Sequence, residues 1–200
     1  MNDPHRLRER RHWIFDMDGT LTVSAHDFEH MRRELGLEPQ VPILEALHAM
    51  PAHEAAPLWK RLDELEFYYA GQASLMQGAV ELLEQLRLAG CQLAILTRNT
   101  MPVVEQTLRA CALEHFFPVD HIIDRDTCLP KPSPDGIHRL LEFWQASAED
   151  SVMVGDYLYD LEAGRAAGVV TVHLDTRGNV DWSEYTDVRV ESLGEIIPYL

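Results

Sequence analysis

Basic charge is what this 200-residue chain has least of. Seventeen Lys and Arg stand against 33 Asp and Glu, a formal net charge of −16, and the only lysines are Lys60 and Lys131. So acidic a chain lacks the footprint that nucleic acid or an anionic membrane surface requires, so neither is expected as a partner. An anionic substrate would have to be met by local positive charge. Cysteine is also scarce. Cys91, Cys111 and Cys128 are odd in number and widely spaced, which argues against a zinc site or a disulfide framework and predicts reduced, mostly buried thiols in a cytoplasmic protein. No apolar run is long enough to span a bilayer. The charged stretch from Met1 to Arg11 leads into no apolar segment, so no signal peptide is expected. Repeats and low-complexity tracts are absent, no coiled-coil seam demands a partner, and a monomer is expected. The length suffices for a full core, which predicts one domain with a small insertion.

What is present begins at His12–Trp13–Ile14–Phe15–Asp16–Met17–Asp18–Gly19–Thr20–Leu21. A short apolar run, suited to a buried strand, ends in two carboxylates spaced two apart and then in a glycine that permits a sharp exit. Two like charges this close repel and lose hydration unless a cation compensates them. The plainer alternative is a strand followed by an Asx turn.

From Val23 to about Met76 the pattern becomes helical. Phe28, Met31 and Leu35 recur at helical spacing before Gly36, Pro42 opens a second helix with Ile43, Leu44 and Leu47, and Leu58, Leu62, Leu65 and Tyr69 mark a third. Gly71 to Gln77 reads as the linker back. Strands and helices then alternate: a helix through Leu82 and Leu86, a strand from Gln92 to Leu96, and a helix opened by Thr100 and Pro102. A weaker strand follows from His121 to Ile123, then a helix with Ser133 as N-cap and Pro134 as first residue. Next come a strand from Ser151 to Val154, a helix ending at Gly168 and a strand from Val169 to Leu174. Thr186 to Val190 is expected as an edge strand and Leu193 to Tyr199 as a terminal helix. Such alternation predicts βαβ units and a mainly parallel sheet covered on both faces.

Ligands of such sheets bind at the carboxyl ends of the strands. There the sequence sets Asp16 and Asp18, then Thr97, then a loop holding Lys131, then Gly155–Asp156. Asp16 and Asp156 are hard oxygen ligands suited to Mg²⁺, while Lys131 and the Thr97 hydroxyl suit phosphate oxygens, and Asp16 suits nucleophilic attack. Each residue also has a plainer role. Thr97 could merely end a strand, Asn99 could cap a helix, Lys131 could be a solvated loop charge, and Asp160 could be an acid favoured by a helix N-terminus. What supports the chemical reading is their occurrence together, in order.

Asp16-Met-Asp-Gly-Thr-Leu, Thr97, Lys131-Pro and Gly155-Asp156-Tyr-Leu-Tyr-Asp160 resemble the four ordered motifs of the haloacid dehalogenase superfamily, from Trp13 to about Thr171. The resemblance implies an α/β, Rossmann-like, mainly parallel sheet with helices on both faces and a small helical cap inserted after the first strand. Residues 1–22 and 77–200 would form the core and 23–76 a type 1 cap, as in phosphoglycolate phosphatases and β-phosphoglucomutases. It implies that Asp16 attacks phosphorus and ligates Mg²⁺, and that Asp18 is acid and base. The Asp18 carbonyl and Asp156 would complete the metal's protein ligands, with Asp160 supporting them. Thr97, Lys131 and, less directly, Arg98 would bind phosphate. Because the dehalogenase branch lacks the second acid, Asp18 favours phosphoryl chemistry. The expected activity is Mg²⁺-dependent hydrolysis of a small phosphomonoester, phosphoglycolate being a first guess by analogy. The alternatives are a phosphomutase and a non-catalytic phosphate-binding protein. His26, His30, Arg32, Arg33, Lys60, Arg61, Tyr68 and Tyr69 of the insert could meet substrate, but none is assigned. His53, His115, His138 and His173 show no ligand spacing, and Trp144 reads as part of a helix core.

Overall fold

The computed structural model describes residues 3–23, 25–176, 178 and 180–200. Its centre is β1 (His12–Phe15), flanked in one parallel sheet by β4 (Gln92–Leu96) and β6 (Ser151–Gly155). β5 (Ile122–Ile123) extends the sheet beyond β4, and β7 (Val170–Leu174) and β8 (Val188–Val190) extend it beyond β6. The order β5-β4-β1-β6-β7-β8 puts the reversal of strand order at β1, where an open α/β sheet forms its crevice.

Alternation along β1 separates two cores. Trp13 and Phe15 face one side, packed with Leu82, Leu83 and Leu86 of α4 (Ala79–Leu88) and Val104 and Leu108 of α5 (Met101–Ala110). Ile14 faces the other, with Ile137, Leu140 and Leu141 of α6 (Asp135–Trp144) and Ala163 of α7 (Leu158–Ala167). Burial of these side chains, each worth about 1.5–3 kcal/mol, holds the sheet between its helical layers.

Between β1 and α4 the chain departs into α1 (Phe28–Glu34), α2 (Ile43–Ala49) and α3 (Ala52–Ala70). These helices share a cluster of their own, Met31, Leu35, Ile43, Leu47, Leu62 and Leu65, separate from both sheet cores. The insert is not wholly helical, as its pattern implies. It leaves and returns through an antiparallel ribbon, β2 (Thr22–Val23) against β3 (Ser74–Leu75), because the two chain ends run side by side and pair their backbone groups. Other boundaries shift by a residue or two. α6 begins at Asp135 with Pro134 in the cap position, Ser133 Oγ accepting the Asp135 N–H at 3.3 Å. Leu193–Tyr199 is 3₁₀ rather than α, with Pro198 inside it. All three cysteines are free, yet only Cys111 is fully buried. Trp144 is half-buried on α6, beside the His12 and His121 rings. No helix among the described residues is long and apolar enough to cross a membrane.

The insert docks on the sheet through two arginines. Arg98, after β4, pairs with Glu45 of α2 at 2.5 Å and lies over the Tyr159 ring. Arg125, after β5, grips Glu66 of α3 with both carboxylate oxygens (3.1 and 2.9 Å) and Asp63 at 2.6 Å. Burial pushes the Glu66 carboxyl up to about 7; Arg125 opposes the rise and Asp63 adds to it. A raised value means the folded chain holds this proton more tightly than the unfolded chain. Its stabilising contribution is full below about pH 4.5 and is lost as pH rises towards 7. Relative to a Glu66→Gln variant, the wild type should therefore lose stability over that window, by at most about 3 kcal/mol. Thermal unfolding of both proteins at pH 5 and pH 8 checks this, and a pH-independent difference would contradict it.

Candidate active site

β1 delivers the first acid. Asp16 follows its last residue and still donates its N–H to Val154 O at 2.9 Å, so its side chain stands at the carboxyl edge of the sheet, 8% exposed. The chain then turns around the Met17 carbonyl, which accepts from Leu21 N at 2.9 Å, Thr22 N at 3.0 Å and Thr22 Oγ1 at 3.2 Å, while the Met17 side chain is buried. That turn brings Asp18 back to the crevice. Gly19 has φ +91°, and a Cβ there would overlap the Asp156 carboxylate, so glycine meets both the backbone conformation and the close approach.

The other strand ends converge on this turn. Lys131, 3% exposed beside a cis Lys131–Pro132 peptide, places Nζ 2.5 Å from Asp16 Oδ1 and 2.5 Å from Asp160 Oδ1. Asp160 Oδ2 also accepts the Tyr157 N–H at 3.1 Å. Asp160 thus caps α7, as its place at a helix N-terminus suggests, and also anchors the lysine, a contact that the sequence does not foretell. Asp156 receives the Thr20 hydroxyl at 3.5 Å. Thr97 is buried at the end of β4, its Oγ1 accepting the Asn99 N–H at 3.2 Å.

Carboxylate oxygens of Asp16, Asp156 and Asp160 lie within 4.8 Å of one another. One lysine faces three acids, so the cluster lacks cationic charge. Burial first, then the charges of Asp16 and Asp160, push the Asp156 carboxyl up to about 8 against the pull of Lys131. Burial and Asp16 likewise raise Asp160 to about 6, although Lys131 opposes this. Burial would lower the Lys131 value, but Asp16 and Asp160 outweigh it and hold the ammonium at about 12. An all-oxygen donor set with surplus negative charge fits a hard divalent cation such as Mg²⁺.

Asp18 occupies different surroundings. Asn99 Nδ2 donates to Oδ2 at 2.5 Å, the Thr22 hydroxyl shares its one hydrogen between the Met17 carbonyl and Oδ1, 3.4 Å away, and His26 Nδ1 lies 3.6 Å from Oδ1. Its carboxyl is raised by burial and by Asp16, with His26, Asn99 and Thr22 acting the other way. One acid is therefore tied to a permanent cation, while its neighbour is held by two neutral donors and a histidine that is cationic only when protonated. That contrast suits one to stay ionised and the other to exchange a proton.

Arg98 is not turned to this cluster; its guanidinium is engaged by Glu45 and Tyr159. Of the insert residues named from sequence, His26 comes to the acids, its side chain 4% exposed and stacked near Phe28 and Tyr69. Asn99 is a neighbour that sequence reasoning set aside as a helix cap. Thr100 takes the cap position, which frees Asn99 for Asp18. Its place two residues beyond a strand-end threonine was the available signal. Nothing local to Arg125 or Glu66 foretold their pairing.

Comparison with known proteins agrees with this geometry. Residues 11–168 match the family model described as haloacid dehalogenase-like hydrolase. An uncharacterized hydrolase from Saccharomyces cerevisiae is 30% identical over 191 residues, 92% of this chain and 88% of that protein. The pyrophosphatase PpaX of Bacillus mycoides is 30% identical over 123 residues, 60% of this chain and 57% of that protein. A crystal structure described as a predicted phosphoglycolate phosphatase from Haemophilus somnus superposes with a TM-score of 0.73 at 21% identity, covering 95% of this chain and 97% of that one. With a family model spanning most of its length and the four strand-end motifs assembled around β1, the chain belongs to the haloacid dehalogenase-like hydrolases.

Proposed function

We propose that this protein is a Mg²⁺-dependent phosphatase that hydrolyses a small phosphomonoester through an aspartyl-phosphate on Asp16. The observation that carries the reading is the contrast between Asp16, paired with buried Lys131, and Asp18, bonded to Asn99 and Thr22 with a raised carboxyl value. In the first step an Asp16 carboxylate oxygen bonds to phosphorus, the bond to the leaving alcohol breaks, and Asp18 gives that oxygen its proton. In the second, water bonds to phosphorus, Asp18 takes a proton from it, and the acyl-phosphate bond breaks to restore Asp16. Lys131 and the Thr97 hydroxyl hold the non-bridging oxygens and offset their charge. Asp16, Asp156 and the Asp18 carbonyl would hold Mg²⁺, which when bound neutralises charge on the phosphoryl group. Asp160 keeps Lys131 and the start of α7 in place for this. Arg98 would join a phosphate only on leaving Glu45.

In this reading residues 23–76 are a cap over a core of 1–22 and 77–200, and their chemistry selects the substrate. The three free cysteines accord with a reducing, cytoplasmic setting. A small phosphorylated metabolite is the partner, and the chain acts as a monomer.

The test is phosphate release across a panel holding phosphoglycolate, sugar phosphates, pyrophosphate and an aryl phosphate. Release is expected with Mg²⁺, lost with chelator and restored on adding the metal. Transfer of phosphate between sugar positions without release would make it a mutase instead. Silence across the panel, with phosphate still bound, would leave a binding protein.

A further inference from the structure

Asp18 has to present one carboxylate oxygen to the leaving group, so what fixes its orientation matters to the reaction. Asn99 is the residue placed to do this. Buried at the end of β4, it donates from Nδ2 to Asp18 Oδ2 at 2.5 Å and from its backbone N–H to Thr97 Oγ1 at 3.2 Å. Its carbonyl accepts the Arg125 N–H at 3.0 Å. The same Arg125 carries the guanidinium that grips Glu66 and Asp63 on α3 and lies 5.5 Å from the Trp59 ring centroid. One residue therefore touches the acid/base, the strand-end hydroxyl and the arginine that fastens the insert.

The loop that makes these contacts is itself pinned. Asp124, beside Arg125, accepts the Met101 N–H at 3.1 Å with Oδ2 and the Thr127 hydroxyl with Oδ1. The backbone that carries the Arg125 guanidinium is thus fixed on one side by Asp124 and joined directly to the Asn99 carbonyl. With its backbone N–H and carbonyl both bonded and its side-chain amide on Asp18, Asn99 is anchored on either side of the group that meets the carboxylate, which is what orienting that carboxylate requires.

We propose that Asn99 is a positioning residue for Asp18, and that Arg125, by gripping Glu66 and Asp63, couples the docking of α3 to that positioning. Asn99 itself touches no reacting atom. The inference rests on the reading of Asp18 as the acid that protonates the leaving group. It predicts a leaving-group signature. A poor alkyl leaving group needs the acid, whereas an aryl leaving group departs with little help.

The test measures alcohol or phenol release in a single turnover, which isolates the first step, with Mg²⁺ supplied. Wild type, Asp18→Asn, Asn99→Ala and Arg125→Lys are compared on an alkyl and an aryl phosphate. For Asn99→Ala the alkyl rate should fall about 30-fold and the aryl rate less than about 3-fold, part of the 10²–10⁴ that general acid catalysis supplies. Arg125→Lys should show the same inequality, smaller in size. Equal losses on the two substrates, or no loss, would overturn the proposal; if Asn99→Ala does not fold, the Arg125→Lys ratio decides alone. An Asp18→Asn protein without the signature would refute the acid/base reading and the proposal with it. That signature in Asp18→Asn but in neither other variant would refute the positioning role only.

Discussion

Asp16→Asn is expected to lose Mg²⁺-dependent phosphate release by about 10⁴-fold or more, the scale of removing a nucleophile that acts as part of a unit. An amide nitrogen neither attacks phosphorus nor supplies anionic charge for the metal. The fold should survive. Lys131 would keep Asp160 at 2.5 Å as a partner. Removing one charge also relieves the repulsion that raises Asp156 and Asp160. The apo variant should therefore unfold at or slightly above the wild-type temperature. Phosphate release and thermal unfolding on the same preparation check this, and a folded, active variant would refute the nucleophile assignment.

Lys131→Met is expected to damage both stability and turnover. It leaves Asp16, Asp156 and Asp160 clustered without a cation, in a site where the lysine is 3% exposed. Removing one partner of a buried ion pair costs about 3–5 kcal/mol. Loss of the group that offsets phosphoryl charge should cost at least about 100-fold in kcat. The pH dependence follows from the direction of the shifts. In the wild type Asp160 and Asp156 already sit at about 6 and about 8, above their unfolded value of 3.8. Without Lys131, which lowers both, they rise further. A carboxyl raised on folding favours the folded chain at low pH and loses that contribution as pH climbs through its folded value. The metal-free variant should thus approach wild-type stability near pH 4 and fall furthest behind by about pH 8. Mg²⁺ should restore part of the stability and none of the lost rate. Urea unfolding at both pH values, with and without Mg²⁺, checks it; equal stability at pH 8 would contradict the account.

Much of the core was legible because it rests on local pattern and strand-end chemistry. The apolar run from Trp13 to Phe15 followed by acids foretold a buried strand with its polar end in the crevice, and β1 lies at the sheet's reversal point. Lys131 was readable because lysine is so scarce that one at a Lys–Pro junction carried weight. The ribbon between Thr22–Val23 and Ser74–Leu75 was not, since two residues per strand give no alternation and the pairing spans the whole insert. Arg125 with Glu66, and Asn99 with Asp18, were hidden for the same reason: their partners are 59 and 81 positions apart. Periodicity reports which face is buried, and it is silent on which distant polar groups meet there.

The central claim is that a phosphoryl group passes through Asp16. Acid quench during turnover of a substrate found in the panel, followed by mass spectrometry of the peptide from His12 to Arg32, tests it most directly. A phosphoryl group on Asp16, absent after chelation of Mg²⁺ and absent from Asp16→Asn, is the predicted result. Turnover with no phosphorylated enzyme, or with the phosphoryl group on another residue, would contradict it.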